Sequence, residues 1–241
     1  MRRRYLCGAL VGVLAVAAAL SATAGRAAPS LRHGRAHLIT HSTSTNWSGY
    51  AVTGSKFTSV SSSWTEPTAT CSATAYSSFW VGLDGDTSNT VEQTGTDADC
   101  SGRTPKYYAW YEMYPKFPVN FNNTVRPGDR LTASVTTDGR GNFTLKISDT
   151  TQAWSKTVTA KLKSAKLASA EVIAEAPSSS SGVLPLANFG TVSFTGASAN
   201  GSSLTSSTPN IDPITMSSGS TVKAQPGSIS SGAFSVAWKH A

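Results

Sequence analysis

Short stretches in which apolar and polar residues alternate are the feature that most restricts the fold of this chain. Alternation of this kind is typical of β-strands, because successive side chains point to opposite faces of a sheet. Clear examples lie at 131–135, 143–147, 192–194 and 234–238, and residues that favour turns separate such stretches. Many short strands joined by turns predict an all-β fold, an antiparallel β-sandwich with most of its tryptophans in the core.

The first 28 residues have the features of an export signal. Three arginines at positions 2–4 precede an apolar run from Leu6 to Leu20, and small residues follow that run. This order is typical of a signal peptide, and the run is too short and wrongly flanked to span a membrane. The sequence does not distinguish general secretory export from twin-arginine export. We expect a secreted, extracellular protein that has no membrane attachment once residues 1–28 are removed.

Residues 29–45 form a basic segment that we interpret as a short propeptide or a disordered arm, and we expect residues 46–241 to form one β-sandwich domain. The formal charge of +7 is concentrated at the amino terminus, where six of the 20 basic residues lie before Leu38. The remaining 14 basic residues face 13 acidic ones. A nearly neutral domain gives no electrostatic basis for nucleic-acid binding, so no nucleic-acid partner is expected.

Two of the three cysteines remain after the signal peptide is removed. Cys7 lies within the signal, whereas Cys71 and Cys100 lie in the expected domain. An even pair of cysteines in an exported chain predicts a disulfide.

Histidine is confined to the two ends of the chain. His33, His37 and His41 lie in the basic segment, and His240 is the penultimate residue. Apart from His240 at its end, the expected domain therefore has no histidine to serve as the base of a Ser-His-Asp triad or as a ligand of zinc. Walker-type phosphate loops and dinucleotide-binding fingerprints are also absent from the sequence. Carboxyl and amide groups must supply any catalysis, and we expect neither a metal nor another cofactor.

Two glutamates stand close together in a part of the chain that has few charges. Glu171 and Glu175 flank a three-residue apolar stretch, and in a strand both would point to the same face. Carboxylates in such a position are costly unless they are solvated, paired or functional. Their spacing alone leaves two interpretations open, a functional site and a solvent-facing strand. An isolated glutamine such as Gln93 is likewise more often an ordinary hydrogen-bonded residue.

Six sequence blocks in a fixed order carry a resemblance to a known family. They are NWSGYA (46–51), FWVGLDGDT (79–87), EQTG (92–95), YAWYEMYP (108–115), AEVIAEAP (170–177) and ANFGTVSF (187–194). Together they resemble the glutamic peptidases, also called eqolisins, and the resemblance extends from Asn46 to Ala241.

The resemblance implies a sandwich of two bent antiparallel sheets, a concanavalin-like jelly roll with a concave substrate cleft. By position, Gln93 and Glu175 match the catalytic glutamine and glutamate of the family. Four further residues are expected to line or support that site: Trp80, Asp84, Asp97 and Glu112.

The implied activity is that of a secreted acid endopeptidase that acts on polypeptides as a monomer without a cofactor. Glu175 would take a proton from water and return it to the departing amine, and the Gln93 amide would stabilise the oxyanion. If Asp84 and Asp97 are charged, they favour a protonated neighbour and link activity to acidic pH.

Two other functions are compatible with an all-β chain rich in aromatic residues. A jelly-roll glycoside hydrolase would use Glu112 and Glu175 as its pair, with a carboxyl separation that depends on the stereochemical outcome. A non-catalytic carbohydrate-binding sandwich would stack its aromatic rings on sugars. Neither alternative has a role for the glutamine block, so we expect the peptidase.

Overall fold

The computed structural model describes residues 30–33 and 42–241, and regular structure within them consists of β-strands. In chain order the strands are β1 (Thr43–Ser44), β2 (Trp47–Thr53), β3 (Ser59–Thr65), β4 (Ser78–Leu83), β5 (Val91–Ser101), β6 (Thr104–Tyr114), β7 (Val119–Asn120), β8 (Arg130–Thr137), β9 (Asn142–Asp149), β10 (Trp154–Lys161), β11 (Ser169–Glu175), β12 (Ser178–Ser179), β13 (Gly182–Val183), β14 (Thr191–Ala199), β15 (Ser202–Ser203), β16 (Ile211–Ser218), β17 (Thr221–Pro226) and β18 (Phe234–Trp238). These described ranges contain no helix long and apolar enough to cross a membrane. The predicted signal peptide lies outside the described residues.

Hydrogen bonds join most of the strands into one continuous sheet that packs on itself. Its order is β10-β9-β8-β3-β14-β18-β17-β16-β2-β11-β4-β5-β6-β7, and all neighbours in this order are antiparallel. We call β2, β11, β4, β5, β6 and β7 the site sheet. The strands that come before β16 in this order form the back sheet: β10, β9, β8, β3, β14, β18 and β17. Strand β16 belongs to both, because residues 211–214 pair with β2 and residues 216–218 pair with β17. The predicted all-β antiparallel fold is confirmed.

The main core lies between the two sheets, where β4 and β5 pack on β8 and β9. Leu131, Ala133 and Val135 of β8 are buried there, while their neighbours on the strand are exposed or half-buried. The alternation seen in the sequence is thus the difference between the core face and the outer face of a strand. Burying a side chain such as Leu contributes about 1.5–3 kcal/mol to folding.

A disulfide joins Cys71, in the segment before β4, to Cys100, near the end of β5, as predicted. The two residues are 29 positions apart in the chain, with Cα atoms separated by 5.3 Å. Closing a loop of this length restricts the unfolded chain and stabilises the fold by roughly 3–4 kcal/mol in the chain-entropy model. The crosslink holds one end of β5 in place.

The opposite face of the site sheet, which we call the site face, carries a second apolar cluster that includes Trp47, Trp80, Trp110 and Ile173. Trp47 and Trp80 meet edge to face with ring centroids 4.9 Å apart. Because both faces of the site sheet are covered, β5 is buried along nearly its whole length. The site face is therefore built on central strands whose backbones are hydrogen-bonded on both sides.

Two glycines determine where Trp80 lies on this face. A Cβ atom on Gly95 would lie 2.5 Å from the Cβ of Trp80, and one on Gly82 would lie 2.9 Å from the Trp80 ring. The Gly82 Cβ would also lie 3.2 Å from the Cβ of Gln93. Only glycine leaves room for these two side chains, so the glycines of the sequence blocks have a packing role next to the site.

Glu66 is a buried carboxyl between the two sheets. Its Oε2 accepts hydrogen bonds from the Thr96 hydroxyl, at 2.5 Å, and from the Trp64 indole N–H, at 3.4 Å. Its Oε1 has no hydrogen-bond partner among the described residues. Burial raises the pKa of Glu66 to about 8. The folded protein therefore keeps a proton on Glu66 at neutral pH.

We expect the free energy of unfolding to fall as the pH rises from about 4.5 towards 8. The folded pKa of Glu66, about 8, lies above its ordinary value of 4.5. The stability that the protonated carboxyl contributes is therefore intact below pH 4.5 and is lost as the pH approaches 8. Each carboxyl of this kind lowers the unfolding free energy by about 1.4 kcal/mol per pH unit in its window. Denaturant titrations across this range at fixed ionic strength measure the decline.

Glu66→Gln provides the matched variant for this prediction. The amide has the shape of the protonated acid and does not titrate, so the decline should be shallower by about 1.4 kcal/mol per pH unit. A profile parallel to that of the wild type would show that Glu66 does not keep its proton.

Candidate active site

Strand register brings the candidate residues of four strands onto the site face. Glu175 of β11 pairs with Ser78 of β4, which in turn pairs with Asp97 of β5. Gln93 of β5 pairs with Glu112 of β6. Directly paired residues share a face of the sheet, and residues 93 and 97 share a face of β5 because they are four positions apart. Gln93 and Glu175 therefore point to the same side.

The Gln93 amide is held by its neighbour on β6. Its Nε2 donates a hydrogen bond to Oε2 of Glu112 at 3.2 Å and another to the main-chain carbonyl oxygen of His33. Its Oε1 is buried and has no partner among the described residues. The side chain thus presents one donor to a peptide carbonyl and retains a free acceptor.

The Glu175 carboxyl is held by two donors. Trp80 Nε1 donates to Oε2 at 2.8 Å, and Asn46 Nδ2 donates to Oε1 at 3.2 Å. Complete burial raises the pKa of Glu175 well above its usual range, and the nearby negative charge of Glu112 raises it further. The two hydrogen bonds favour the ionised form and partly oppose these effects.

Asp97 and Asp99 share the hydroxyl of Tyr108, which lies 2.8 Å from an oxygen of each. A tyrosine hydroxyl has one hydrogen to donate, so the second contact requires a proton on one of the two carboxyls. Burial raises the pKa of both, that of Asp99 to about 7, and the proximity of Asp99 adds to the effect on Asp97. Trp110 Nε1 also donates to Asp97, at 2.6 Å.

Glu112 completes this group of acids. Burial raises its pKa to about 9, against the opposing hydrogen bond from the backbone N–H of His33 and the charge of Arg32. The carboxyls of Asp97, Glu112 and Glu175 cannot all ionise in one buried site without strong mutual repulsion. At least one of these carboxyls therefore keeps a proton at acidic and neutral pH.

Asp84 occupies a different position from the other predicted residues. Its carboxylate accepts hydrogen bonds from the backbone N–H groups of residues 166, 167 and 168 at 2.8–2.9 Å. It follows the last residue of β4 and has a φ of 69°. Asp84 thus fastens the loop that leads into β11, and so supports the strand that carries Glu175.

Glu171 lies on the same face as Glu175, as its spacing predicts, but it is fully buried and not solvent-facing. Burial raises its pKa well above the usual range, with the nearby Ser169 hydroxyl opposing and the charges of Asp86 and Asp84 adding to the shift. Glu171 therefore belongs with Asp84 and Asp86, and not with the group of acids around Gln93.

Three residues of the site were not identified from the sequence as site residues. Asn46 and Trp110 lie within the sequence blocks, and their positions there were the available signal. His33 was assigned to the basic segment, outside the folded domain, and yet it is buried against Trp110. Strand β1, at Thr43–Ser44, also lies within that segment and pairs with β16.

Known proteins are similar to this chain over the part that forms the sandwich and the site. The model of the family described as "Peptidase A4 family" matches residues 45–238. Aspergillopepsin-2 of Aspergillus niger is 29% identical over 181 residues, which are 65% of this chain and 64% of the relative. Scytalidopepsin B of Scytalidium lignicola is 40% identical over 115 residues, which are 46% of this chain and 43% of the relative. The chain thus matches less than two thirds of the length of either relative.

The fold is also similar to a solved one. A crystal structure of scytalido-glutamic peptidase with a transition state analog inhibitor has a TM-score of 0.72 and 28% sequence identity, covering 81% of this chain and 98% of that chain.

Proposed function

This chain belongs to the peptidase A4 family, the glutamic peptidases, and from that membership we propose that it is an acid endopeptidase whose catalytic residues are Gln93 and Glu175. Trp80, Asp97 and Glu112 position these two groups. Asp84 supports them indirectly, because it holds the loop that leads into β11. The observation that carries the proposal is that strand register points the Gln93 amide and the Glu175 carboxyl to the same face of the site sheet, with Gln93 hydrogen-bonded to Glu112 and Glu175 hydrogen-bonded to Trp80. Hydrolysis of a peptide bond requires a donor for the oxyanion and a group that moves the proton.

The proposed mechanism uses one carboxyl and one amide. The ionised form of Glu175 takes a proton from a water molecule as that water attacks the substrate carbonyl. Gln93 Nε2 donates a hydrogen bond to the developing oxyanion, and its unpaired Oε1 is available to accept a hydrogen from the water. Glu175 then gives the proton to the departing amine. The donors Trp80 and Asn46 hold Glu175 in the orientation for both transfers.

The proposal extends to the setting in which the enzyme works. Residues 1–28 act as an export signal, and residues 46–241 form the peptidase domain, preceded at 29–45 by a basic segment that is a short propeptide or an arm. The mature enzyme is extracellular and works on polypeptides as a monomer, because residues of a single chain supply the groups around Gln93 and Glu175. Relatives with similar sequences carry peptidase names, which supports this class of substrate.

Hydrolysis of a denatured protein tests the proposed function. The purified chain is incubated with the substrate between about pH 2 and pH 7, in the presence of pepstatin and EDTA, and new peptide termini are identified by mass spectrometry. We expect cleavage at acidic pH that neither reagent prevents. Absence of cleavage at every pH would overturn the proposal.

The same preparation separates the peptidase from the two carbohydrate functions. The family match does not favour a glycoside hydrolase that uses Glu112 and Glu175 or a sugar-binding sandwich. Incubation with soluble polysaccharides should release no reducing ends, whereas a glycosidase would release them.

A further inference from the structure

The connection between β1 and β2 lies beside the end of β11 that carries Glu175. Glu175 pairs with Trp47, the first residue of β2. The backbone N–H of Ala176 donates to the carbonyl oxygen of Asn46 at 2.8 Å. Strand β1 is held in turn by β16, with which it pairs in parallel. Backbone hydrogen bonds on both sides therefore place residues 43–47 next to the Glu175 carboxyl.

The hydroxyl of Ser44 lies inside this connection, and the residue is 2% exposed. Its oxygen accepts hydrogen bonds from the backbone N–H groups of Asn46, at 3.3 Å, and Trp47, at 3.2 Å. It also lies 3.0 Å from Oδ1 of Asn46. A serine oxygen has two lone pairs and one hydrogen. Because the two N–H groups use the lone pairs, the third contact is the one in which the hydroxyl donates.

The orientation of the Asn46 amide follows from this contact. The hydroxyl of Ser44 donates, so it must face the amide oxygen and not the amide nitrogen. The nitrogen Nδ2 is then directed to Glu175, whose Oε1 accepts a hydrogen bond from it at 3.2 Å. Both Asn46 and Glu175 are fully buried. Asn46 thus presents a donor to the carboxyl, and a donor favours the ionised form.

The reversed orientation of this amide would have the opposite effect on Glu175. Oδ1 of Asn46 would then face the carboxyl, where it repels a carboxylate and accepts a hydrogen bond from a protonated acid. An amide that is free to turn over therefore favours the protonated form and raises the pKa of Glu175. Because the ionised form takes the proton from water in the proposed mechanism, this change removes active enzyme at low pH.

We propose that Ser44 is a positioning residue of the active site: its hydroxyl fixes the Asn46 amide with the nitrogen towards Glu175, and so extends the activity to lower pH. This inference rests on the proposed function, because it concerns the protonation of the proposed catalytic carboxyl. Ser44 acts through Asn46 and not on the reacting atoms.

Other titratable groups also act on the charge of Glu175. Burial is the largest cause of its raised pKa, and the charges of Glu112 on β6 and Asp97 on β5 raise the pKa further. His33 lies 3.7 Å from Asp97, but burial lowers its pKa to about 3, so it is neutral over most of the acidic range. Strands β2 and β4 face Glu175 with tryptophan and serine side chains. Substitution of Ser44 leaves all these groups in the protein, so a change in the pH profile reports on the Asn46 amide.

The pH dependence of kcat tests the proposal. Ser44→Ala removes the hydroxyl and should move the acidic limb of the profile to higher pH. We expect the ratio of kcat at the acidic end to kcat at the optimum to fall about 3- to 10-fold, the range that one ordinary hydrogen bond accounts for. Ser44→Thr keeps a hydroxyl and should return the limb towards its wild-type position. An acidic limb at the same pH in Ser44→Ala and the wild type would overturn the proposal.

Ser48→Ala is the matched control. Ser48 is a fully buried serine of β2, four residues from Ser44, and its hydroxyl has no hydrogen-bond partner among the described residues. The variant should keep the acidic limb of the wild type, and thermal melts measure any loss of stability in the two variants separately. Equal displacement of the limb in both would show that the contact with Asn46 is not the cause.

Asn46→Ala separates positioning from a general effect on the structure. This variant removes the donor to Glu175 and should move the acidic limb in the same direction as Ser44→Ala. Adding Ser44→Ala to it should cause no further displacement, because no amide remains to be oriented. A second displacement as large as the first would show that Ser44 acts on Glu175 by another route, which would overturn the proposal.

A titration followed by NMR separates this inference from the proposed function. The Glu175 carboxyl and the Asn46 side-chain amide are observed in isotope-labelled wild type, with Glu175→Gln and Asn46→Ala to assign their signals. We expect the amide signals to move with the same midpoint as the carboxyl, a result that does not depend on whether Ser44→Ala folds. If they do so but no peptide is cleaved at any pH, the proposed function is overturned and the assigned contacts stand. If peptides are cleaved but the amide does not respond to Glu175, the role of Ser44 is overturned and the proposed function stands.

Discussion

Glu175→Gln is expected to lower kcat on peptide substrates by about 10²- to 10⁴-fold, because positioned acid–base groups contribute factors of that size. The amide keeps the shape of the carboxyl, and its oxygen still accepts the hydrogen bond from Trp80 Nε1 that now measures 2.8 Å. The variant therefore keeps its fold but has no group that can take a proton from water. Steady-state kinetics at acidic pH, together with thermal melts, measure both effects.

Glu171→Gln is the matched control for this variant. Glu171 stands on the same strand and the same face as Glu175, is equally buried, and has a pKa raised by the same cause, burial. It belongs to a different group of acids, so the variant should keep kcat within about threefold of the wild type. Equal losses in the two variants would show that a buried carboxyl on β11 matters only for stability.

Gln93→Ala is expected to lower kcat by about 10²- to 10³-fold, the usual result when one oxyanion donor is removed. Truncation removes the donor to the peptide carbonyl and also leaves Glu112 without the hydrogen bond it receives at 3.2 Å. KM should change less than kcat, since the donor acts most strongly on the charge that develops in the transition state. Kinetics with a fluorogenic peptide separate the two parameters.

Gln93→Glu tests whether donation is the important property of residue 93. A protonated carboxyl donates one hydrogen bond, whereas an ionised carboxylate donates none and repels an oxyanion. The variant should therefore regain part of the activity at low pH and lose it as the pH rises. If Gln93→Ala and Gln93→Glu have the same pH profile, residue 93 is not an oxyanion donor.

The strands that face solvent were predictable from sequence because their two faces differ. Phe143, Leu145 and Ile147 are buried in β9, and the residues between them are exposed or half-buried. Strand β5 gives no such signal, since nearly all of its residues are buried and polar residues occupy both faces. The central strands of the site sheet were recognised by their resemblance to a family and not by their pattern.

The site itself was predictable only in part. Spacing places Glu171 and Glu175 on one face, but it does not say which of them joins Gln93. That choice depends on register, which pairs Gln93 with Glu112 and places Glu175 in the row of Asp97. The position of His33 could not be predicted, because its contacts depend on a segment that is distant in sequence from the strands it lies on.

Strand β16 has a consequence for the way in which the protein loses its structure. Because one stretch of backbone, residues 211–218, completes both sheets, neither sheet retains all of its backbone partners once that stretch detaches. The sandwich has no seam along which one layer separates while the other remains intact. We therefore expect unfolding to be a single cooperative event, with backbone amides at the centre of both layers exchanging with solvent at a common, slow rate.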